Sequence, residues 1–379
     1  MNWLKNMWYV AGFANEVVGT PWVARRLLDT PVVMMQTSTG ELAALEDLCP
    51  HRLMPLSAGK RLGDELQCGY HGLKFSPLGQ CTEAPGQTLI PAAACVRTFP
   101  LVSRHGLLWI WMGDRELASH DLIPDIRWND HPEWAASRGY HHLEADFRLG
   151  VDNLMDLGHE SWVHKKTIGN DEEECIPSFP VRTTVVGDGL VRAHREMPNI
   201  EPPPFFAMVL NHKGRINRWQ IAVSLAPCLC MTDFGVYPVG TPAEKAYRSH
   251  VLHLLTPETE DTTHYFWSTT RNYRLDDEAL TEAIGKAITA TFDEDAEVLQ
   301  MQQKQLKIYG GNVPRVALKV DEAPMRARKL LAALLKREAD DPKFVFKPIL
   351  MIEDTTPELA MANDPLQTAP GRFSNVRPD

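Results

Sequence analysis

No stretch of the sequence is apolar for long enough to cross a membrane. A membrane-spanning helix needs about 20 consecutive apolar residues, and every apolar run here is well short of that length. The first residues, Met1–Asn6, also lack the basic-then-apolar order of a secretion signal. These two absences predict a cytoplasmic protein with no membrane partner.

Blocks of basic residues are missing as well. The sequence has 39 Lys and Arg against 49 Asp and Glu, so that its formal net charge is −10. A protein that follows a nucleic-acid backbone normally carries a basic patch or stripe to neutralise the phosphates. Nucleic acid is therefore excluded as an expected partner.

Cysteine is sparse, with 7 residues among 379. An odd number of cysteines argues against a complete disulfide framework, and reduced thiols fit the cytoplasm. A chain of this length can bury a large core without covalent cross-links. Any cysteine with a special role is therefore expected to bind metal.

The N-terminal third consists of short apolar segments separated by Gly, Pro and Asp at roughly 8–12-residue spacing, which is typical of a small all-β domain. A polar, Pro-containing segment over Asp114–Pro132 marks its end. The predicted strands are Trp8–Ala14, Arg25–Leu28, Val32–Gln36, Leu42–Asp47, Gln67–Cys68, Val96–Leu101 and Leu107–Trp111.

The remainder of the sequence mixes helical and strand patterns. Apolar residues at helical spacing predict helices over about Leu149–His164, Asp276–Ile308 and Pro324–Lys336. Strands are predicted between Val181 and Ser268, among them Arg218–Ser224, Thr232–Tyr237 and Ser249–Thr256. The expected organisation is α+β, with domains over 1–120 and 121–339 and an extended Pro-containing tail over 340–379.

Two short motifs in the first domain each combine one thiol with one imidazole. Cys49 and His51 form the first arm, and Cys68 and His71 form the second arm after sixteen intervening residues. Two Cys on one iron and two His on the other are the ligands of a Rieske [2Fe–2S] cluster. A structural zinc site also accepts two Cys and two His, but zinc fingers normally keep Cys with Cys and His with His. The mixed arms favour the Rieske cluster.

A second potential metal site lies in the segment that begins at Asp152. His159 and His164 offer two imidazoles, and two His plus one carboxylate form the facial triad of non-haem Fe(II) oxygenases. The candidate for the carboxylate is Asp295, on the long later helix. At about 100° per residue, the two His would diverge by about 140° on a straight helix. The helix is therefore predicted to end, or to form a π-bulge, between Gly158 and His164.

These motifs together resemble the Rieske-type non-haem iron aromatic oxygenases. The resemblance extends over about residues 1–335 and favours the branch that contains vanillate O-demethylase, dicamba O-demethylase and toluenesulfonate methyl-monooxygenase. The residues that carry it are Trp8-Tyr9-Val10-Ala11, Cys49-Pro50-His51-Arg52, Cys68-Gly69-Tyr70-His71-Gly72, Trp109-Ile110-Trp111, Asp152-Asn153-Leu154-Met155-Asp156-Leu157-Gly158-His159, His164, Thr256-Pro257-Glu258-Thr259 and Glu294-Asp295.

The resemblance implies an all-β Rieske domain followed by a catalytic domain with an antiparallel sheet flanked by helices. It implies that Cys49 and Cys68 hold one iron of the [2Fe–2S] cluster and that the two cluster His hold the other. By the same resemblance, His159, His164 and Asp295 hold a mononuclear non-haem Fe(II), with Asn153 beside it. Asp156 resembles the family's bridging acid, which contacts a cluster His of the neighbouring subunit in a homotrimer.

The function implied is that of a terminal oxygenase component, an oxidoreductase that takes O2 and a small aromatic acid such as a methoxybenzoate. No glycine-rich flavin or nicotinamide fingerprint is visible, so electrons are expected from a separate flavin- or ferredoxin-type reductase. O-demethylation is the preferred reaction, with methyl hydroxylation and ring dihydroxylation as alternatives. A Rieske electron carrier without oxygenase chemistry and a zinc-stabilised interaction module are the alternatives from other classes.

Three polar residues on predicted strands are candidates for contact with the substrate. Arg218, Gln220 and His253 could receive a carboxylate, and Arg would do so as a bidentate fork. For Arg218, a structural ion pair is favoured over a contact with the substrate. His253 lies in a His-x-x-Thr-Pro-Glu setting that resembles the substrate-contacting His of the dicamba enzyme.

Overall fold

A computed structural model of the chain describes residues 3–169, 178–310 and 316–349. The predicted extended tail over 340–379 lies outside the described residues from position 350 onward. Within the described part of the chain, no helix combines the length and the apolar composition that crossing a membrane requires.

Eleven strands occupy the described part of the first domain, and they form three antiparallel sheets in the orders β1-β11-β10, β2-β3-β4-β9 and β5-β6-β7-β8. The strands are β1 Trp8–Phe13, β2 Val23–Leu27, β3 Thr30–Gln36, β4 Leu42–Glu46, β5 Lys60–Leu62, β6 Glu65–Gln67, β7 Lys74–Phe75, β8 Cys81–Glu83, β9 Thr98–Phe99, β10 Leu101–Arg104 and β11 Leu107–Trp111. The all-β prediction is confirmed. Strands β5, β7 and β8 were not predicted, because two or three mostly polar residues carry no readable alternation. Strand β10 was predicted only at its first residue, Leu101.

The second domain contains one seven-stranded antiparallel sheet in the order β12-β18-β17-β16-β15-β14-β13. Its strands are β12 Ala135–Leu143, β13 Val181–Val186, β14 Leu190–Ile200, β15 Ile216–Leu225, β16 Leu229–Pro238, β17 Tyr247–Pro257 and β18 Thr263–Arg271. Strand β12 was not predicted, because its Ser, Arg, Tyr and His residues mask the apolar alternation. The predicted antiparallel sheet with flanking helices is confirmed.

Five α-helices complete the described residues: α1 Phe147–Met155, α2 Glu160–Val163, α3 Pro204–Leu210, α4 Glu278–Tyr309 and α5 Glu322–Asp340. Helix α4 begins after Asp277, whose side chain accepts the N–H of Leu280 and caps the helix. It packs along β12, while α1 packs against α5. This arrangement places the middle of α4 beside the segment that follows α1.

The two domains share one buried core that includes Trp109, Trp111 and Leu254. Hydrogen bonds also join them, since Thr256 Oγ1 donates to Val10 O at 2.7 Å. From the far end of the chain, the buried Glu338 accepts N–H groups near the N-terminus, including that of Asn6 at 2.8 Å. The core and these bonds hold the first domain against the sheet of the second.

Candidate metal centres and active-site cavity

The two Cys-containing arms fold into matching loops. In each loop the Cys N–H donates to the carbonyl five residues on, and the residue four positions on donates to the Cys carbonyl. The bonds are Cys49 to Met54 at 2.8 Å, Leu53 to Cys49 at 2.9 Å, Cys68 to Leu73 at 2.8 Å and Gly72 to Cys68 at 3.1 Å. The fourth position needs a left-handed backbone, with φ of +58° at Leu53 and +75° at Gly72. Glycine adopts that conformation readily and leucine does not, so the similarity of the loops is not visible in the sequence.

The two loops place their four donor groups in two pairs, one of thiols and one of imidazoles. Cys49 and Cys68 are buried, and burial, together with the adjacent Cys68 thiol, raises the pKa of Cys49. His51 and His71 are exposed, with ring centroids 4.4 Å apart. A single tetrahedral ion needs its ligand atoms around one point. Among the described residues, however, the only group that brings three ligand atoms within 4.8 Å of one another lies elsewhere. A thiol pair and a separate imidazole pair fit a two-iron cluster better than zinc.

The segment before the second site departs from the sequence prediction. The predicted helix over 149–164 is interrupted earlier than expected, because α1 ends at Met155 and Asp156 is extended with φ −87° and ψ 100°. The Asp156 carboxylate accepts the N–H of Gly158 at 2.6 Å, so it competes with the helix for that donor. The first break therefore precedes His159, earlier than predicted, and the segment contains no π-bulge. The prediction that the helix ends between Gly158 and His164 is met by α2, which ends at Val163.

Two imidazoles and one carboxylate converge beside α2, because His159 lies at its N-cap and His164 lies at its C-cap, outside the helical conformation. The Nε2 atoms of His159 and His164 lie 3.2 Å apart. Asp295 Oδ1, from α4, lies 3.1 Å from His164 Nε2 and 3.6 Å from His159 Nε2. Of the described residues, only these three bring three possible ligand atoms within 4.8 Å of one another.

The hydrogen bonds around the two imidazoles indicate that the site is built for a cation. His159 Nδ1 lies 2.6 Å from Asp156 O, and His164 Nδ1 lies 2.8 Å from Glu294 Oε2. Because both partners are acceptors, each Nδ1 carries the proton and each Nε2 of a neutral ring presents a lone pair. Two such lone pairs and a carboxylate oxygen at one point attract positive charge, as a metal ion or as a proton on His164, whose pKa is raised to about 9. A divalent iron with open positions fits this donor set.

Polar neighbours hold the carboxylates in place. Asn153 Nδ2 donates to Asp295 Oδ1 at 3.0 Å, and Thr167 Oγ1 donates to Glu294 Oε2 at 3.0 Å. Burial opposes charge on His164, but the two carboxylates outweigh burial and raise its pKa to about 9. Burial likewise opposes charge on Asp295, yet its imidazole and amide neighbours lower its pKa. The site therefore stabilises positive charge beside the carboxylates.

Asp156 contacts the metal-site loop in two ways. Its carboxylate accepts from Gly158 N, while its backbone carbonyl, rather than its side chain, accepts from His159 Nδ1. Burial raises the pKa of its carboxyl group. Within the described residues, Asp156 thus orients His159 through the main chain.

A cavity adjoins the His159–His164–Asp295 group. Its walls are mainly apolar and come from α1, α3, α4 and the sheet. The apolar lining consists of Leu154, Leu157, Ile168, Phe205, Phe206, Phe234, Val251, Ile288 and Phe292, and the polar lining includes Arg218, Gln220, Thr232 and His253. All three predicted substrate-contacting residues are therefore brought to this cavity. Its aromatic walls suit a small aromatic molecule.

A buried group of charges lies at the wall. Glu160 is 3.2 Å from a guanidinium nitrogen of Arg195 and 3.2 Å from one of Arg218. Gln220 joins them, since its Nε2 donates to Glu160 Oε1 and its Oε1 accepts from Arg195 Nη2 at 2.6 Å. Arg218 therefore does form an ion pair, and it also lines the cavity.

The third polar wall residue, His253, is uncharged. Complete burial lowers its pKa to about 3. Its Nδ1 lies 2.6 Å from Tyr265 Oη, and its Nε2 lies 3.3 Å from Thr232 Oγ1. A neutral imidazole in this position acts as a hydrogen-bonding group rather than as an anion receptor.

Sequence reasoning missed four residues that shape the site: Glu160, Arg195, Tyr265 and, as the partner of His164, Glu294. Glu160 directly follows a predicted ligand, and Arg195 interrupts an apolar strand, so both carried a weak signal. The pairing of Arg195 with Glu160 spans 35 positions and has no local signature.

Comparisons with known proteins agree with this geometry. The Rieske [2Fe-2S] domain family matches residues 7–100, and the vanillate O-demethylase oxygenase C-terminal domain family matches residues 143–337. The chain belongs to this family of Rieske oxygenases. It is 38% identical over 341 residues to the toluene-4-sulfonate monooxygenase system iron–sulfur subunit of Comamonas testosteroni, covering 88% of this chain and 98% of that one. It is 36% identical to a vanillate O-demethylase oxygenase subunit of a Pseudomonas species, covering 89% and 96%.

Among solved structures, this Rieske oxygenase is similar to dicamba monooxygenase bound to 3,6-dichlorosalicylic acid. The TM-score is 0.83 at 33% identity, covering 89% of this chain and 99% of that one. The predicted family, fold and enzyme class are confirmed: the chain is a non-haem iron oxygenase with a Rieske [2Fe–2S] domain and a mononuclear iron site. Its relatives are named as subunits or components of multi-protein systems, so it is the oxygenase part of such a system.

Proposed function

We propose that this oxygenase O-demethylates a small aromatic acid, such as a methoxybenzoate, with O2 and electrons from a separate flavin- or ferredoxin-type reductase. The observation that carries the proposal is the cavity that joins an aromatic lining to the converging His159, His164 and Asp295. Relatives named for vanillate and dicamba O-demethylation support the reaction type.

The residues fit the two cofactors in distinct ways. Cys49 and Cys68 would hold one iron of the cluster, and His51 and His71 the other. His159, His164 and Asp295 would hold the mononuclear iron. When bound, the cluster supplies electrons and the mononuclear iron supplies O2 activation.

The protein itself contributes orientation and exclusion of water. Asn153 and Glu294 hold Asp295 and His164 at fixed hydrogen-bonding distances. Phe205, Phe206 and Phe292 supply apolar surface that can pack on an aromatic ring and displace water. We assign Arg218, Gln220 and His253 to the polar side of the substrate pocket.

We further propose that the chain works as a homotrimer. Within one chain, His159 Nδ1 already takes the carbonyl of Asp156, so the Asp156 side chain is available to a second partner besides Gly158. A cluster His of a neighbouring subunit would suit it, because His51 and His71 are exposed. We also propose that the first domain ends at residue 120 and that the second domain ends at residue 339.

The test is a substrate panel with a surrogate reductase and NADH. Methoxybenzoates, methylated arenesulfonates, benzoates and phenoxybenzoates would be supplied, and formaldehyde release would be measured. O-demethylation predicts one equivalent of formaldehyde per demethylated product, and Asp295→Ala should abolish it.

The other reactions give other products. If benzylic alcohols form without formaldehyde, the reaction is methyl hydroxylation rather than demethylation. The toluene-4-sulfonate relative makes methyl hydroxylation the second candidate. Diol products would point to ring dihydroxylation. An iron content of two rather than three per chain would favour an electron carrier.

A further inference from the structure

The turn between α1 and α2 carries Asp156 and leads into His159, yet it is not held by helical hydrogen bonds. Leu157 lies at its centre, and within the described residues no main-chain N–H donates to the Leu157 carbonyl oxygen. The buried Arg195, on β14, supplies the donor instead, with Nη1 2.6 Å from Leu157 O. A buried carbonyl that loses its donor is unfavourable. Arg195 therefore fixes the main chain in the middle of this turn.

The guanidinium of Arg195 also reaches two other parts of the second domain. Its Nη2 donates to Gln220 Oε1 on β15 at 2.6 Å, and it lies 3.2 Å from Glu160 Oε1 at the start of α2. A planar guanidinium makes such bonds in several directions at once, whereas an ammonium group is a single point charge. The turn, α2 and the sheet are thus held in register by one side chain.

The Asp156 carboxylate is an electrostatic neighbour of Arg195. Burial raises the pKa of Asp156, and the positive charge of Arg195 opposes this effect. Burial lowers the pKa of Arg195 to about 10, against the opposing effect of Glu160 and Asp156. Two acids, Asp156 and Glu160, therefore balance two bases, Arg195 and Arg218. Because this buried group has no charge left over, its role is to hold the turn in place rather than to bind an ion.

The position of the turn affects two groups near the mononuclear site. The Asp156 carbonyl accepts from His159 Nδ1 at 2.6 Å, and the Asp156 carboxylate accepts from Gly158 N at 2.6 Å. Leu157 lies between these bonded residues in the chain, so a shift of its carbonyl would move the Asp156 carboxylate relative to the His159 ring. Arg195 is therefore placed to act on this pair without contacting either imidazole ligand.

We propose that Arg195 is a positioning residue for electron transfer. By holding the Leu157 carbonyl, it keeps the Asp156 carboxylate where the route from the cluster of a neighbouring subunit reaches His159. The inference rests on the proposed function, because it requires Asp156 to connect the two metal centres. It adds to that function a buried residue of the sheet that acts through Asp156.

The test measures electron transfer in the iron-loaded holoenzyme and checks both metal centres separately. The cluster is reduced beforehand, and its reoxidation after mixing with O2 and 3-methoxybenzoate is followed by stopped-flow absorbance. Arg195→Met should slow this reoxidation at least about 10-fold, although the Rieske spectrum and three irons per chain are retained.

A conservative variant and a matched control accompany this measurement. Arg195→Lys keeps the buried positive charge but not the fork, so it should fold even if Arg195→Met does not, and it should slow reoxidation at least about 3-fold. Arg271→Met is the control, since Arg271 is similarly buried and donates to Arg274 O and Asp277 O, away from the cavity lining. It should leave reoxidation within about 2-fold of the wild type.

A double-mutant cycle with Asp156→Asn separates positioning from a general structural effect. If Arg195 acts through Asp156, its loss matters little once the Asp156 charge is gone. Adding Arg195→Met, or Arg195→Lys, to Asp156→Asn should then slow reoxidation by less than about 2-fold more. Substitutions that act independently would instead multiply their effects.

The outcomes distinguish this inference from the proposed function. Multiplied effects in the cycle, or reoxidation at the wild-type rate in a folded Arg195→Lys protein, would overturn the inference, while formaldehyde release by the wild type would still support demethylation. If 3-methoxybenzoate does not accelerate reoxidation in the wild type and no formaldehyde is released, both the inference and the proposed function fail.

Discussion

The Nε2 atoms of His159 and His164 lie 3.2 Å apart although the residues are five positions apart in sequence. On an unbroken helix their side chains would diverge by about 140°. They flank the single turn of α2, with His159 at its N-cap and His164 at its C-cap, where the backbone leaves the helical conformation with φ −104° and ψ 29°. The end of α2 before His164 is therefore a structural condition for the metal site.

Glu294 should determine how tightly the mononuclear site binds iron. It accepts from His164 Nδ1 at 2.8 Å and so orients the ring and directs its Nε2 lone pair to the site. Loss of such a partner typically weakens metal binding by about 10- to 100-fold, and we expect this for Glu294→Gln. Competition with an Fe(II) chelator measures the affinity. Asp293→Asn is the control, because that neighbouring acid contacts His141 instead. An unchanged affinity in Glu294→Gln would contradict the assignment.

The Rieske ligands can be tested by the visible absorbance of variants that lack one of them. Cys49→Ser and His71→Ala should each remove the red-brown absorbance, because a cluster that loses one of four protein ligands is unstable. The mononuclear site should still bind iron, since it is built from other residues. Absorption and circular dichroism spectra measure both effects. A normal Rieske spectrum in both variants would refute the assignment.

Asp156→Asn should retain both metal centres and lose most turnover. An amide oxygen can still accept from Gly158 N, so the turn should persist, but the negative charge that we propose to couple two centres is lost. Stopped-flow reoxidation of the pre-reduced cluster in the presence of substrate measures the transfer directly. Near-normal reoxidation in the purified protein would mean that electrons take another route.

Glu160 should make the stability of the protein depend on acid pH. Burial opposes its ionisation, but Arg218, Arg195 and Gln220 outweigh burial and lower its pKa to about 2 from an ordinary 4.5. The ionised carboxylate therefore stabilises the fold fully above pH 4.5, and this stabilisation is lost as the pH falls towards 2. Glu160→Gln should lower the free energy of unfolding at pH 7 by about 3 kcal/mol.

Urea unfolding at pH 7, 4.5 and 3 measures this effect. The difference between the wild type and Glu160→Gln should shrink at the lowest pH. Glu282→Gln serves as the control, because Glu282 is exposed and pairs only with the exposed Lys286 within the described chain. A difference that stays constant with pH would show that Glu160 stabilises the fold by packing alone.

The spacing of residues within short segments of the sequence was enough to predict much of the fold and of the metal sites. The Cys-x-His and Cys-x-x-His arms predicted the cluster ligands as a set, because each arm folds as one short loop. Helix α4 was predicted to within two residues, since a long amphipathic pattern depends on neighbouring residues. The family, the α+β fold and the candidates His159, His164 and Asp295 all followed from short motifs.

Packing between distant segments decided the rest. Asp295 Oδ1 reaches His164 Nε2 at 3.1 Å only because α4 lies beside the segment that follows α1, and 131 positions separate the two residues in the chain. The Arg195–Glu160–Arg218 group likewise joins two strands to α2. Such contacts have no periodic signature, because their geometry is set by how the sheet and helices pack. The motifs in the sequence therefore identified the metals and the family, and the tertiary structure alone decided which buried charges face the substrate cavity.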